Sequence, residues 1–203
     1  MEKNVQITGS DQIRWTSTTP FWGCHLVAVL GLVYWGWSWS GFGLALFFYY
    51  LRMFGITAGY HRYFAHRSYK TSRIFQFFLA LLGTLAVQKG VLWWSAHHRA
   101  HHRHSDGEHD IHSPRQRGFW WSHLGWILTT RYDATDWSRI KDFAKYPELR
   151  FLNRFEFPVV IGFAVLLFMT GGLPLIFWGF IISTVLLWHG TFCINSLAHL
   201  IGK

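Results

Sequence analysis

Thirteen histidines stand in this 203-residue chain, and several fall into short, regularly spaced groups. His61 and His66 frame an HxxxxH pattern, His98, His101 and His102 form HxxHH, and Asn195 stands four residues before His199. Residues three and four apart share a helix face, so His98, His101 and His102 can converge on one site, as can Asn195 and His199. His61 and His66 are five apart, about 140° around a straight helix. They diverge unless two metals lie between two faces or the helix ends there, a spacing that suits two ions better than one. Imidazole is the commonest metal ligand near neutral pH and suits iron, copper, nickel and zinc. A neutral ligand set leaves the metal's positive charge in place to bind and activate oxygen. Asp106, Glu108, Asp110, Asp133 and Asp136 are candidates to accept the ligands' second ring N–H. His25 and His189, in apolar runs without a motif, read as packed core histidines. His97 and His104 read as bystanders on the cytoplasmic face, and His109, His112 and His123 as groups supporting the metals or capping a substrate.

The elements that must hold these groups are apolar. The chain is 51% hydrophobic and 20% aromatic, only 14% charged, and carries a formal net charge of +9. Residues 20–38, 40–58, 157–171 and 173–194 are each apolar enough to be read as bilayer spans. Turn signals around residues 35–40 and at Gly171-Gly172-Leu173-Pro174 pair them as two hairpins. Residues 74–87 form a shorter apolar run, expected to be interfacial or re-entrant rather than spanning. Fifteen of the 19 Lys and Arg residues fall between Arg62 and Arg154 and none in the hairpin turns, which puts residues 59–156 and both termini in the cytoplasm. A spanning 74–87 would separate His61 from His98 by a membrane. The expected fold is therefore an all-α integral membrane protein: four transmembrane helices in two hairpins, an interfacial helix and a cytosolic histidine-rich cap. Because the basic residues sit between apolar spans, the charge points to an anionic membrane surface or an acidic cofactor headgroup and away from nucleic acid. Cys24 and Cys193 read as structural thiols. Residues 1–19 are polar and show no secretory signal. Gly41-Phe42-Gly43 lacks the third glycine and the strand context of a dinucleotide fingerprint.

Taken together, residues 55–70 (GITAGYHRYFAHRSYK), 94–102 (WSAHHRAHH), 112–126 (HSPRQRGFWWSHLGW) and 195–199 (NSLAH) resemble the integral-membrane acyl-CoA desaturases, the stearoyl-CoA desaturase-like family. The resemblance implies a mushroom-like fold and a di-iron centre held almost wholly by histidine. It implies O2- and electron-dependent removal of two hydrogens from a saturated acyl chain, leaving a cis double bond, at the delta-9 position. It carries over His61, His66, His98, His101, His102 and His199 as iron ligands, with Asn195 reaching an iron through water. It also implies an acyl tunnel with Gln88 and Trp94 in its wall. Tyr49, Tyr50, Met53 and Phe192 are further candidates for that wall, although aromatic residues in a span more often simply pack. A narrow bent tunnel would act by positioning one pair of carbons. Electrons must come from an external donor, a ferredoxin or cytochrome b5 type, docking on the basic cytoplasmic face. The substrate would be acyl-CoA or an acyl-lipid, met among membrane lipids.

Three departures qualify the resemblance. The Arg-Asp pair of animal acyl-CoA members is Ala96-His97 here, and a basic pair expected after Trp126 is Thr129-Thr130, followed by Arg131. Both favour an acyl-lipid or acyl-carrier substrate over CoA. A last HxxHH expected beyond Lys203 is absent from the sequence, so residues 1–203 read as a desaturase domain truncated before its last histidine box, with a natural short form as the alternative. On that reading the chain is expected to bind two irons weakly and not to turn over. A membrane di-iron alkane or lipid hydroxylase is the alternative chemistry, and a zinc-stabilised membrane scaffold the non-enzymatic one.

Overall fold

The computed structural model describes residues 9–201, which are helical with no strand among them. The two chain ends, expected in the cytoplasm, lie outside the described residues. Helix α1 (Trp15–Trp35) ends at Gly36, whose φ of 73° reverses the chain in a conformation that only glycine adopts without strain. Helix α2 (Trp39–Ala65) begins at Ser38, whose side chain accepts from the Gly41 amide. It runs seven residues past the expected span end at 58 and carries His61 on its last turns. Helix α3 (Arg73–Thr84) is capped by Ser72 and α4 (Val91–His104) carries HxxHH. Helix α5 (Pro147–Arg154) precedes the apolar run Glu156–Ile201.

That last run is continuous in sequence but not in space. Gly172 takes φ 64° and ψ −158°, which no helix contains. Phe163 and Phe180 are 17 residues apart, about 25 Å along a straight helix, yet their rings are 6.1 Å apart. The run is therefore a hairpin, α6 (156–171) and α7 (173–201), with its turn where the Gly-Gly-Leu-Pro signal stands. Among the described residues, three stretches are long and apolar enough to cross a membrane: Trp15–Trp35, Trp39–Ala65 and Glu156–Ile201. Their outer faces expose Leu26, Val29 and Val33 on α1 and Ile161, Val165 and Met169 on α6. So much exposed apolar surface has no place in water and fits a lipid environment. Helix α3 is too short to span. It buries Gln76, Leu79 and Ala80 and exposes Ile74, Phe75 and Phe78, as an interfacial helix would.

Two devices lock the bundle. Arg52, fully buried in α2, donates to Ser183 Oγ (2.5 Å) and Thr184 Oγ1 (2.7 Å) on α7 and to the Leu85 carbonyl (3.1 Å) after α3. With no carboxylate among those partners it acts as polar glue between helices. Gly55 lets α2 and α3 approach backbone to backbone: a Cβ there would stand 2.4 Å from the Gly83 nitrogen. Gly55→Ala must push the helices apart, and we expect a loss of about 1–3 kcal/mol. A thermal midpoint in detergent unchanged from the wild type would refute this reading of the contact.

Candidate metal centre

The histidine groups meet at the ends of α2 and α4, through a feature of winding. Residues Gly55–Ala65 form i→i+5 hydrogen bonds, a wider turn than the α-helix. The His66 amide donates to the His61 carbonyl at 3.0 Å, so residues five apart come into register. His66 also closes the helix. The 140° divergence of a straight helix does not arise, and the two Nε2 atoms lie 3.1 Å apart. From α4, His98 Nε2 approaches His66 Nε2 at 3.3 Å, and His102 Nε2 approaches His98 Nε2 at 2.9 Å. The ligand atoms of His61, His66, His98 and His102 all lie within 4.8 Å of one another.

HxxHH does not converge on one point. His98 and His102, four apart, share the face toward α2, while His101 is turned aside into a second cluster. There His101 Nδ1 lies 2.8 Å from Asp110 Oδ1, the His112 ring stacks on it at 4.1 Å, and the His199 ring lies 5.0 Å away. His101 donating Nδ1–H to Asp110 leaves Nε2 bare, the arrangement common for metal-bound imidazole. Asp106 likewise sits 3.3 Å from His199 Nδ1. His112 Nδ1 is buried without a hydrogen-bond partner among the described residues. The ring centroids of His98 and His101 are 6.0 Å apart, so the clusters adjoin.

The donor chemistry fits divalent metal. Burial, then the charges of His102, His61, His101 and His66, hold His98 far below the ordinary histidine range. Burial and the same neighbourhood push His102 down to about 4, and burial with His101 pushes His112 to about 3. These imidazoles are neutral at pH 7 and offer lone pairs. Burial alone raises the Asp110 carboxyl, but the hydrogen bond and charge of His101 outweigh it and hold Asp110 ionised.

The remaining candidates fall elsewhere. A cavity of about 190 Å³ is lined by Phe21, Gln88, Trp94, Trp188 and Phe192. Asn195, in the wide-wound segment Ile194–Ala198, also lines it, and its carbonyl accepts from Ser122 Oγ at 2.8 Å. Gln88 Nε2 donates to Thr191 Oγ1 at 2.7 Å across the cavity. Val87 and Lys89 flank it with φ of 58° and 69°, strained values for side-chain-bearing residues that turn the α3–α4 link around Gln88. Trp94 stacks on His98, 4.7 Å between ring centres, so one residue is both cavity wall and neighbour of the first cluster. Tyr49 is not in the lining; its hydroxyl stands 3.0 Å from where a Gly190 Cβ would be. Tyr50 points outward, 66% exposed. His97 is not on the surface: it is buried, stacked on Trp93, with Nδ1 2.8 Å from the Trp93 carbonyl. His25 and His189 pair at 3.0 Å, and His189 reaches His123 at 3.2 Å. Asp133 lies at the cavity, Asp136 pairs with Arg139, and Glu108 is exposed, so none of these supports a ligand.

Sequence reasoning missed Thr191, Arg99 and Asn153. Arg99 fastens α4 to the end of α2, donating to the Phe64 (2.6 Å) and Ala65 (3.2 Å) carbonyls and to both oxygens of Asp142. Asn153 Oδ1 accepts from the Leu92 and Trp93 amides, capping α4 from 60 residues away. Arg99 lies inside the box, but no spacing rule marks it, and the other two act through long-range contacts.

A family model described as fatty acid desaturase matches residues 37–202. The chain is 39% identical over 199 residues to an sn-2 palmitoyl-lipid 9-desaturase of Nostoc sp. (strain 36), spanning 95% of this chain and 69% of that one. It is 38% identical over 193 residues to an sn-1 stearoyl-lipid 9-desaturase of Anabaena variabilis, spanning 94% and 71%. An acyl-CoA 5-desaturase of Anemone leveillei is 38% identical over 197 residues, spanning 93% and 60%. None of these names favours the hydroxylase alternative. The chain belongs to the fatty acid desaturase family, an oxidoreductase family of lipid metabolism.

Proposed function

We propose that this protein introduces a cis double bond at the delta-9 position of a saturated acyl chain, using O2 and two irons. His61, His66, His98 and His102 would hold one iron. His101 and His199 would hold the other, with Asn195 reaching it through water. When bound, the irons supply oxygen activation strong enough to take hydrogen from an unactivated methylene. The residues of the chain do the rest. The apolar walls formed by Phe21, Trp188 and Phe192 exclude water and take the acyl chain. The Gln88–Thr191 hydrogen bond joins two walls of the cavity, where a bend in the acyl chain would position one pair of carbons. Asp110 and Asp106 orient His101 and His199.

One observation carries the reading: Trp94 faces the cavity and stacks on His98, so acyl space and metal-type cluster share a wall. With four membrane crossings, the clusters fall at the cytoplasmic face, where a ferredoxin or cytochrome b5 type donor would dock on exposed basic residues such as Arg62 and Arg103. The ester form is an acyl-lipid or acyl-CoA, the two kinds named among the relatives. Expression of the gene in a host with a saturated acyl pool, followed by mass spectrometry of its lipids, tests this. Loss of two hydrogens with the bond at carbon nine is expected; gain of oxygen instead would establish the hydroxylase.

A further inference from the structure

Three of the thirteen tryptophans are packed into the histidine clusters by ring-to-ring contact. Trp94 and His98 are four apart on α4 and share a face. Their rings lie nearly parallel, 4.7 Å between centres and 21° between planes. A second stack leaves the other cluster. His101 stacks on His112 at 4.1 Å, His112 meets Trp126 at 5.1 Å, and Trp126 lies on Trp93 at 5.9 Å with 11° between planes. Both stacks run from a metal-type histidine to indoles, and Trp93, Trp94 and Trp126 all line the cavity. These indoles therefore stand beside the place where an oxidant would form and where an acyl chain would receive it.

Indole is the most readily oxidised of the aromatic side chains. A parallel pair such as Trp93 and Trp126 spreads a positive charge over two rings. The Trp93 N–H donates to the Tyr132 carbonyl at 2.7 Å, which sets a partial negative charge beside that ring. The Lys89 ammonium, 5.8 Å over Trp93, opposes this, but it is paired with Asp133 at 3.4 Å. We propose that Trp94 and the Trp93–Trp126 pair guard the metal centre, supplying electrons to it when oxygen is activated with no acyl chain in place. Each transfer takes one electron from an indole and lowers the oxidation state of the metal pair by one. Two transfers, with two protons from solvent, complete the reduction of oxygen to water without breaking a C–H bond. An external thiol returns the electrons and is itself oxidised to disulfide. The inference rests on the irons and O2 proposed above.

The test uses the purified full chain in detergent, loaded anaerobically with Fe(II), free of acyl substrate and thiol, and then mixed with O2-saturated buffer. Freeze-quenched samples are read by EPR for an indole radical, and peptide mass spectrometry locates added oxygen. Oxidation is expected at Trp93, Trp94 and Trp126 although the first and last are only 7% and 8% exposed, ahead of Trp15 and Trp120 at 66% and 72%. The same chain loaded with Zn(II), which has no redox chemistry, should lose both the radical and the oxidation at these three positions. Trp94→Phe should shift oxidation onto His98, and Trp126→Phe onto His101 and His112, since each histidine loses the indole on which its stack ends. The iron-against-zinc comparison needs no substitution, so it stands even where a variant fails to fold. Oxidation confined to exposed tryptophans, oxidation equal with iron and zinc, or histidine oxidation unmoved in both folded variants would overturn the proposal. Failure of the chain to bind iron at all would remove the metal-centre reading and the proposal with it, a distinct result.

Discussion

Replacing His98 with alanine should cost the protein its first metal site, weakening affinity by more than about 100-fold, since losing even a residue that merely supports a ligand costs 10–100-fold. His98 is central to its cluster: its Nε2 lies 3.3 Å from that of His66 and 2.9 Å from that of His102. Its ring is also fixed from behind by Trp94, so its orientation is set before any metal arrives. Held neutral by burial and by its fellow imidazoles, it has no proton to lose on binding at pH 7. Anaerobic titration with Co(II) as a spectroscopic probe reads the effect directly, without turnover. His104→Ala is the control, because His104 contacts only His109 among the ring pairs and stands outside both clusters. Equal Co(II) affinity in His98→Ala and wild type would defeat the assignment.

Much of this centre was legible from spacing. His98 and His102 share a face because they are four apart, and the apolar run 74–87 looked too short to span, as helix α3 at Arg73–Thr84 is. The Gly171-Gly172-Leu173-Pro174 signal marked the only break in a long apolar run. What spacing could not convey depends on departures from a straight helix. The i→i+5 winding of Gly55–Ala65 has no period of its own in the sequence, yet it alone aligns His61 with His66. HxxHH divides into two clusters because His101 points about 100° away from its neighbour His102 on the helix, and there it meets Asp110 from nine residues away. His97 read as a bystander because it stands just outside the HxxHH box, but it is buried and stacks on Trp93. Position within the cap, rather than residue type, decides which of thirteen histidines can meet a metal.

Arg99→Ala should destabilise the fold by about 1.5–3 kcal/mol, the range for hydrogen bonds to charged groups, because the pair it makes with Asp142 is partly buried, and should loosen the first cluster with it. Its guanidinium bonds the carbonyls of Phe64, Ala65 and Arg139 and both oxygens of Asp142. These contacts join the helix bearing His98 and His102 to the one ending in His61 and His66. Removing it takes the guanidinium from three carbonyls and leaves the Asp142 carboxylate with Arg67, 2.9 Å away, as its remaining cation. Arg99→Lys keeps the charge but not the planar fork and should recover only part of the loss. A pH series separates the ion pair from the carbonyl contacts. Burial raises the Asp142 carboxyl, but hydrogen bonds from Arg99 and the charges of Arg99 and Arg67 outweigh it, and the folded value falls below the ordinary 3.8. A group lowered in the folded state stabilises above its unfolded pKa and loses that contribution as pH falls through the folded value. The gap in unfolding midpoint between wild type and Asp142→Asn should therefore be full at pH 7 and close below about pH 4. A gap that stays constant from pH 7 to pH 3 would mean that Asp142 acts through shape alone, and that the charge of Arg99 does not hold the two helices of the centre together.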